Sequence, residues 1–328
     1  MTPRQSKRRF LLEAYSENLS NFANSQGAAV AEPIGDKKVL IMEPVYICPL
    51  CSRCFKGIPA LEAKPPSLTL EHNPPKYLGG KATILSCSTC NSEQGSSSDC
   101  SIGPDIGSVS FFDNKPGASL RMRVYVGDSY MPSKLIRIND NNVELRIDEN
   151  VNEFVTRKVK KAFEARAFEN MRIRIPRNKP HLSNLGCLKI AHLEAFRYFG
   201  YSYLLTDNGA FIVDKIKTQN LHIPAHDVVL LNPLPAPDGL YYAGIDAFRS
   251  FLVVFTLKTP EVVRVGVLIP GHGKEALDEY LKFQLQSGSA HTVEFSLEKT
   301  YALPLSPPPA NRYEWLWKEC QKREVSSH

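Results

Sequence analysis

Past residue 110, three stretches alternate apolar and polar positions with a period of two: SLRMRVYVGD, SKLIRIND and NNVELRID. That period buries one face of a strand and leaves the other in water. NDNN, between the last two, has the residues of a turn. FLVVFTLK and VVRVGVLIP are continuous apolar runs rich in β-branched residues, which predicts buried strands. Elsewhere the spacing is helical. Residues 5–22 predict a helix with a basic start. Residues 151–168 place Val151, Phe154, Val155, Val159, Ala162 and Phe163 on one face, with Arg157, Lys158, Lys160, Lys161 and Arg166 largely elsewhere. Residues 182–199 predict an amphipathic helix closed by Gly200, with His192 on its apolar side. GKEALDEYLKFQLQ and ANRYEWLWKECQKR predict two more helices.

Residues 40–105 carry little periodic pattern and are rich in Cys, Pro, Gly and Ser. Such a segment buries little core and needs a staple, for which a metal is the obvious candidate. GSSSDCSIGPDIGS reads as its exit. The chain thus divides into an N-terminal helical, basic extension (1–39), a metal-stapled module (40–105) and a larger domain (106–328). The pattern predicts an α+β fold, its second domain built on a mostly antiparallel sheet.

Composition narrows the picture. A 43% hydrophobic and 9% aromatic content describes a chain that folds. No run reaches the roughly 18 apolar residues of a membrane span, and the N-terminus lacks an apolar stretch long enough for a secretory signal. The expectation is a cytoplasmic protein without a membrane partner. In a reducing compartment, eight cysteines with four in CxxC pairs suit metal better than disulfides. The net charge of +6 permits a polyanion partner without demanding one. Its distribution is uneven: residues 157–179 hold nine basic residues against Glu164 and Glu169. That patch could track a phosphate backbone or be a solvated helix face.

Cys48-Pro-Leu-Cys51 and Cys87-Ser-Thr-Cys90 are the strongest local signal. Two such knuckles can close a tetrahedral Cys₄ site for Zn²⁺, and four thiolates leave no open position, so the site is structural. Cys54 is an alternative ligand. Cys100, Cys187 and Cys320 are isolated and read as small buried hydrophobes.

Between the knuckles lies LTLEHNPPKYLGGKATILSCSTCN. The alternating LTLE reads as a strand, Pro74, Pro75, Gly79 and Gly80 as a loop, and NSEQGSSSD as a helix. The order strand, glycine loop, zinc knuckle and helix is that of a ββα-metal finger. Glu71-His72, Pro74-Pro75, Gly79-Gly80 and Cys87-Ser-Thr-Cys90-Asn91 together resemble the HNH endonuclease family, over about 50 residues from Cys48 to Asp99.

The resemblance implies a metal-dependent endonuclease acting on DNA, with RNA as an alternative, in host defence or a mobile element. His72 would be the general base that activates water. Glu71 and Asn91 would hold a catalytic Mg²⁺ or Mn²⁺ that stabilises the leaving group. Asp99 would be a further ligand or a solvated charge. Lys76, Lys81, Arg157, Lys158 and Lys161 are the candidate nucleic-acid contacts. The chain departs from the family at Ala82, where many members carry an asparagine. Asn91 alone could also be a helix N-cap. Two other readings stand beside the nuclease. One is a zinc-knuckle module that binds nucleic acid or a partner without cutting. The other is an effector gated by a ligand of the second domain. His222 and His226 straddle Pro224 and suggest no metal site, and Gly271-His272-Gly273 reads as a plain turn.

Overall fold

The structure is a computed structural model that describes residues 2–26, 31–34, 37–40, 44–114, 116–140, 142–147, 153–165, 171–175, 180–219, 229–231, 237–245, 248–258, 262–286 and 300–302. It is a mixed α+β protein whose sheets are built on antiparallel pairs. Two compact units emerge: Met1–Asp99 with Asn184–Leu257 and Val263–His328, and Cys100–Ser183 with Lys258–Val262. The grouping differs from the expected linear division. The cysteine-rich segment does not stand as a module of its own, because later helices pack against it.

The first unit opens with α1 (Pro3–Ser25). Thr2 caps it: its hydroxyl accepts from Gln5 N, and the Gln5 side chain accepts from Thr2 N at 2.7 Å. β1 (Ala31–Ile34) and β2 (Lys37–Leu40) pair antiparallel. β3 (Val45–Ile47) and β4 (Cys54–Lys56) form a hairpin whose turn carries Cys48 and Cys51. α2 (Pro59–Glu62) leads to a second hairpin, β5 (Leu68–Asn73) with β6 (Lys81–Cys87), and then α3 (Ser88–Gln94). The ββα order expected from the sequence is therefore present. Both glycines of the hairpin loop have a steric reason. Gly79 has φ 88°, and a Cβ on Gly80 would lie 1.4 Å from the Pro74 carbonyl oxygen. One π-helical turn, Gly95–Asp99, follows α3.

The second unit contains α4 (Cys100–Phe112), β7 (Ser119–Val126), β8 (Ser129–Arg137), β9 (Val143–Ile147), α5 (Glu153–Glu164) and β10 (Met171–Arg174). The strands form one sheet in the order β10-β7-β8-β9. α4 occupies much of the stretch that the sequence reads as the exit from the cysteine-rich module. Ile102, Ile106 and Phe111 are buried on it, and burial of an apolar face outweighs weak propensity. Pro104 lies near its start, where the Cys100 carbonyl alone loses an intrahelical donor.

The returning chain forms α6 (Pro180–Phe199), α7 (Tyr201–Leu204) and α8 (Asp207–Thr218), then β11 (Val229–Leu231), β12 (Gly239–Ile245), β13 (Phe248–Lys258), β14 (Val262–Pro270), α9 (Lys274–Gln286) and β15 (Thr300–Ala302). The five strands are ordered β11-β14-β13-β12-β15. The predicted helix over 310–323 lies outside the described residues. The sequence predicts α6 as amphipathic, yet from Leu185 to Phe196 every residue but Glu194 is buried. The five-stranded sheet meets it at one end, where the Phe199 and Phe251 rings lie 5.3 Å apart. The ββα segment meets it elsewhere, where Asn73 Nδ2 donates to the Ile190 carbonyl at 3.0 Å. A helix covered on all sides carries no polar stripe. Among the described residues, no helix is long and apolar enough to cross a membrane.

Candidate functional site

The cysteine set is assembled by two hairpins. β3–β4 presents Cys48 and Cys51 at its turn, while Cys87 ends β6 and caps α3, accepting from Cys90 N. The ligand atoms of Cys48, Cys51, Cys87 and Cys90 all lie within 4.8 Å of one another. Cys51 Sγ and Cys87 Sγ are 3.8 Å apart, close to the edge of a tetrahedron with metal–sulfur bonds of about 2.3 Å. The donor set therefore fits a structural metal such as zinc. Cys54 is exposed and outside the set. The thiols differ in their ease of ionisation. Hydrogen bonding from Cys48 holds Cys87 down at about 6, while hydrogen bonding to Cys51 pushes Cys48 well up. Arg53, absent from the sequence reading, spans two of the sulfurs: Nε lies 3.4 Å from Cys51 Sγ and Nη2 3.3 Å from Cys87 Sγ.

An aromatic cluster ties this knuckle to the helices behind it. The Tyr15 ring of α1 stacks on Phe196 of α6 at 4.8 Å and meets Tyr46 of β3 edge-on at 5.8 Å. His192 completes the attachment. Its Nε2 lies 2.7 Å from the Pro49 carbonyl and its Nδ1 3.0 Å from the Tyr203 hydroxyl. A carbonyl only accepts, so Nε2 carries the proton and Nδ1 accepts from Tyr203. Burial pushes this imidazole down to about 4. His192 is a packed structural histidine.

β5 decides where the Glu71-His72 pair points. Buried positions run Leu68, Leu70, Glu71 and Asn73, with Thr69 and His72 half-buried. A register shift lies between Glu71 and His72: Glu71 pairs with Ile84 and His72 with Ala82, which makes Thr83 of β6 the extra residue. Thr69, Glu71 and Asn73 share the face of β5 that meets α3 and α6, through Asn91, Lys189 and Ile190, while His72 lies on the other face with Leu68 and Leu70 and is half-buried. Burial lowers the His72 pKa, the Glu71 charge opposes this, and the charges of Lys76, Arg4 and Lys7 add to the lowering. Arg4 and Lys7 come from α1, and the neighbouring Arg8 Nη1 lies 3.5 Å from the Leu68 carbonyl of β5. His72 is thus neutral at pH 7 and set among cations, two of which the sequence reading had not connected to it.

Glu71 and Asp99 do come together, but around a lysine. Lys189 Nζ lies 3.0 Å from Glu71 Oε1 and 2.8 Å from Asp99 Oδ2, with all three side chains buried. Ser86 Oγ donates to Glu71 Oε2 at 2.7 Å. Burial pulls the Lys189 ammonium down, but Glu71 and Asp99 outweigh this and hold it raised. Burial pushes the Asp99 carboxyl up against the opposing pull of Lys189. Asn91, the fourth residue of α3, is not its N-cap. Its Nδ2 donates to Thr69 Oγ1 at 2.9 Å and to the Leu70 carbonyl at 3.3 Å, pinning helix to strand. These residues do not fit a Mg²⁺ or Mn²⁺ site in this arrangement, because both Glu71 oxygens are engaged by buried partners.

The remaining expected contacts are dispersed. Lys76 and Lys81 are exposed on the loop and first residue of the β5–β6 hairpin, and Lys81 pairs with Asn73. Arg157, Lys158 and Lys161 are exposed on α5, where Arg157 Nη2 lies 2.9 Å from Glu153 Oε1. His222 and His226 lie outside the described residues. Gly271 and Gly273 form a turn whose carbonyls accept from Asn208 Nδ2. A lysine inside the apolar run LGCLKIAHLEAF was the available sign of the Lys189 site.

Comparison with protein-family models, curated proteins and solved structures finds no match for this chain. The functional reading therefore rests on the residues and their geometry.

Proposed function

We propose that this chain is an HNH-type endonuclease hydrolysing phosphodiester bonds of DNA, with His72 as its general base and a structural Zn²⁺ at the cysteine set. The observation that carries the reading is His72: half-buried on β5, with its pKa lowered by burial and further by the charges of Lys76, Arg4 and Lys7. A neutral imidazole can take a proton from water as the water oxygen bonds to phosphorus and the bond to the leaving oxygen breaks. The cations around it would attract the phosphate and offset the charge that grows on it. Zinc would hold the two hairpins at the spacing this requires. A catalytic divalent ion at Glu71 enters the reading only if Lys189 gives way, and we derive no step through it.

A second reading has its own observation. The enclosed Glu71–Lys189 pair and Ala82 suit a zinc-knuckle module that binds nucleic acid without cutting it. Supercoiled plasmid nicking by the wild type and His72→Ala, with Mg²⁺, Mn²⁺ or EDTA and with zinc content checked, separates the two. Nicking that vanishes in the variant while zinc is retained supports the nuclease. Absence of nicking by the wild type under all conditions overturns it and leaves the binding module.

A further inference from the structure

The sheet of the second unit has one covered face and one open face. α4 and α5 pack on the covered side. There Leu120 is clustered with Phe111 and Leu135, and Val124, Val126 and Met131 with Ala162. Paired residues of antiparallel strands point the same way, so the register defines the other side. Tyr125 pairs with Tyr130 in the middle of it, and their rings lie 5.5 Å apart. Tyr130 is 44% exposed.

Charge surrounds the two rings. Arg172 pairs with Tyr125 and Arg174 with Arg123 along β10. Arg121 pairs with Lys134, and Lys134 with Arg146 of β9. All six of these cations are exposed. Among the described residues of this face, Glu144, whose Oε1 lies 2.8 Å from Arg146 Nε, is the carboxylate that stands against them. The Arg123 guanidinium lies 4.9 Å from the Tyr130 ring centre and that of Arg172 6.0 Å from Tyr125. An exposed, like-charged surface with a central aromatic pair is unfavourable in isolation. It complements a ligand that carries phosphates at the rim and flat faces at the centre.

We propose that this open face binds single-stranded nucleic acid, with bases stacking on Tyr125 and Tyr130 and the surrounding arginines and lysine neutralising phosphates. Unpaired bases expose their faces, whereas a duplex hides them, and arginine planes stack as well as pair. DNA and RNA strands share this chemistry. The proposal does not need the ββα hairpin to be catalytic.

The test is fluorescence anisotropy on full-length, zinc-loaded His72→Ala protein without added Mg²⁺ or Mn²⁺, so that cleavage plays no part. The probes are mixed-sequence DNA and RNA strands about 16 nucleotides long, a duplex of the same sequence, and heparin as competitor. Tyr125→Ala/Tyr130→Ala should weaken strand binding about tenfold or more, while Tyr125→Phe/Tyr130→Phe should keep it, since a phenyl ring still stacks. Arg123→Ala/Arg172→Ala should lower the slope of log affinity against log salt by about 1.4. Thermal melts confirm that each variant is folded. Four results would overturn the proposal: no strand binding by the parent protein, wild-type affinity in the Tyr→Ala pair, equal loss for heparin and strand in that pair, or loss caused solely by Arg157→Ala/Lys158→Ala/Lys161→Ala on α5. None of these bears on plasmid nicking, so the nuclease reading stands or falls separately.

Discussion

Lys189 Nζ lies 3.0 Å from Glu71 Oε1, and both side chains are buried. The pair joins the middle of α6 to the strand that carries His72. With Asp99 it encloses one ammonium and two carboxylates.

Removing the ammonium should be severe. Lys189→Met leaves two buried carboxylates without a counter-charge, and the loss should be about 3–5 kcal/mol at pH 7. The sign of its pH dependence follows. Unpaired buried carboxyls have raised folded-state pKa values, so the stability they allow is present at acid pH and lost as pH rises. The deficit against wild type should therefore shrink at about pH 5. Urea melts at both pH values measure it. Glu71→Gln keeps hydrogen-bonding atoms and leaves Asp99 to balance Lys189, so its effect should be smaller.

His72 makes the nuclease reading sensitive to pH. Burial, together with Lys76, Arg4 and Lys7, sets its pKa below the ordinary imidazole value, against the pull of Glu71. Activity should rise with pH as the ring deprotonates, with its acidic limb below that of an ordinary imidazole. Lys76→Ala removes a neighbouring cation, so the acidic limb should move to higher pH. The pH–rate profile and an NMR titration of the ring should shift together; a shift in neither would remove Lys76 from the site.

The cysteine set predicts one bound metal per chain, and chelation should loosen both hairpins and lower the melting temperature. Arg53 should act on how firmly the metal is held. Its fork reaches Cys51 and Cys87, and donors to a thiolate blunt its reactivity. Arg53→Ala should release metal about tenfold faster under a thiol alkylating agent, and Arg53→Lys, which has no fork, should not restore it. A colorimetric metal-release assay reads this directly.

His192 should make acid destabilising. Its folded pKa is about 4 against an unfolded value near 6.5, so its contribution is fully present above about pH 6.5 and is lost as pH falls, up to roughly 3 kcal/mol. His192→Gln does not titrate and should flatten that part of the stability–pH curve. The comparison is made at saturating zinc, because thiolate protonation acts over the same range.

Much of the local structure was legible in the chain. β7, β8 and β9 fall where alternation placed them, and both CxxC pairs meet as their spacing implied. α4 was not legible, since Gly103, Pro104 and Gly107 are poor helix formers and the buried isoleucines are what favour the helix. α5 was legible only in part. Phe154, assigned to its core face, is 70% exposed, while Ala162 of the same face packs on the sheet.

Short-range rules therefore determined β5, β7, β8, β9, β13 and β14, several helices, each CxxC knuckle and the loop glycines, because each depends on residues a few positions apart. The tertiary structure decided the site. The face of β5 that carries Glu71 meets α6, where Lys189, 118 residues further along the chain, takes up the carboxylate. The sheet face with Tyr125 and Tyr130 likewise exists only through strand register. Alternation puts a residue on one side of a strand or the other, but which side is covered depends on what packs there, and that is set by the whole fold.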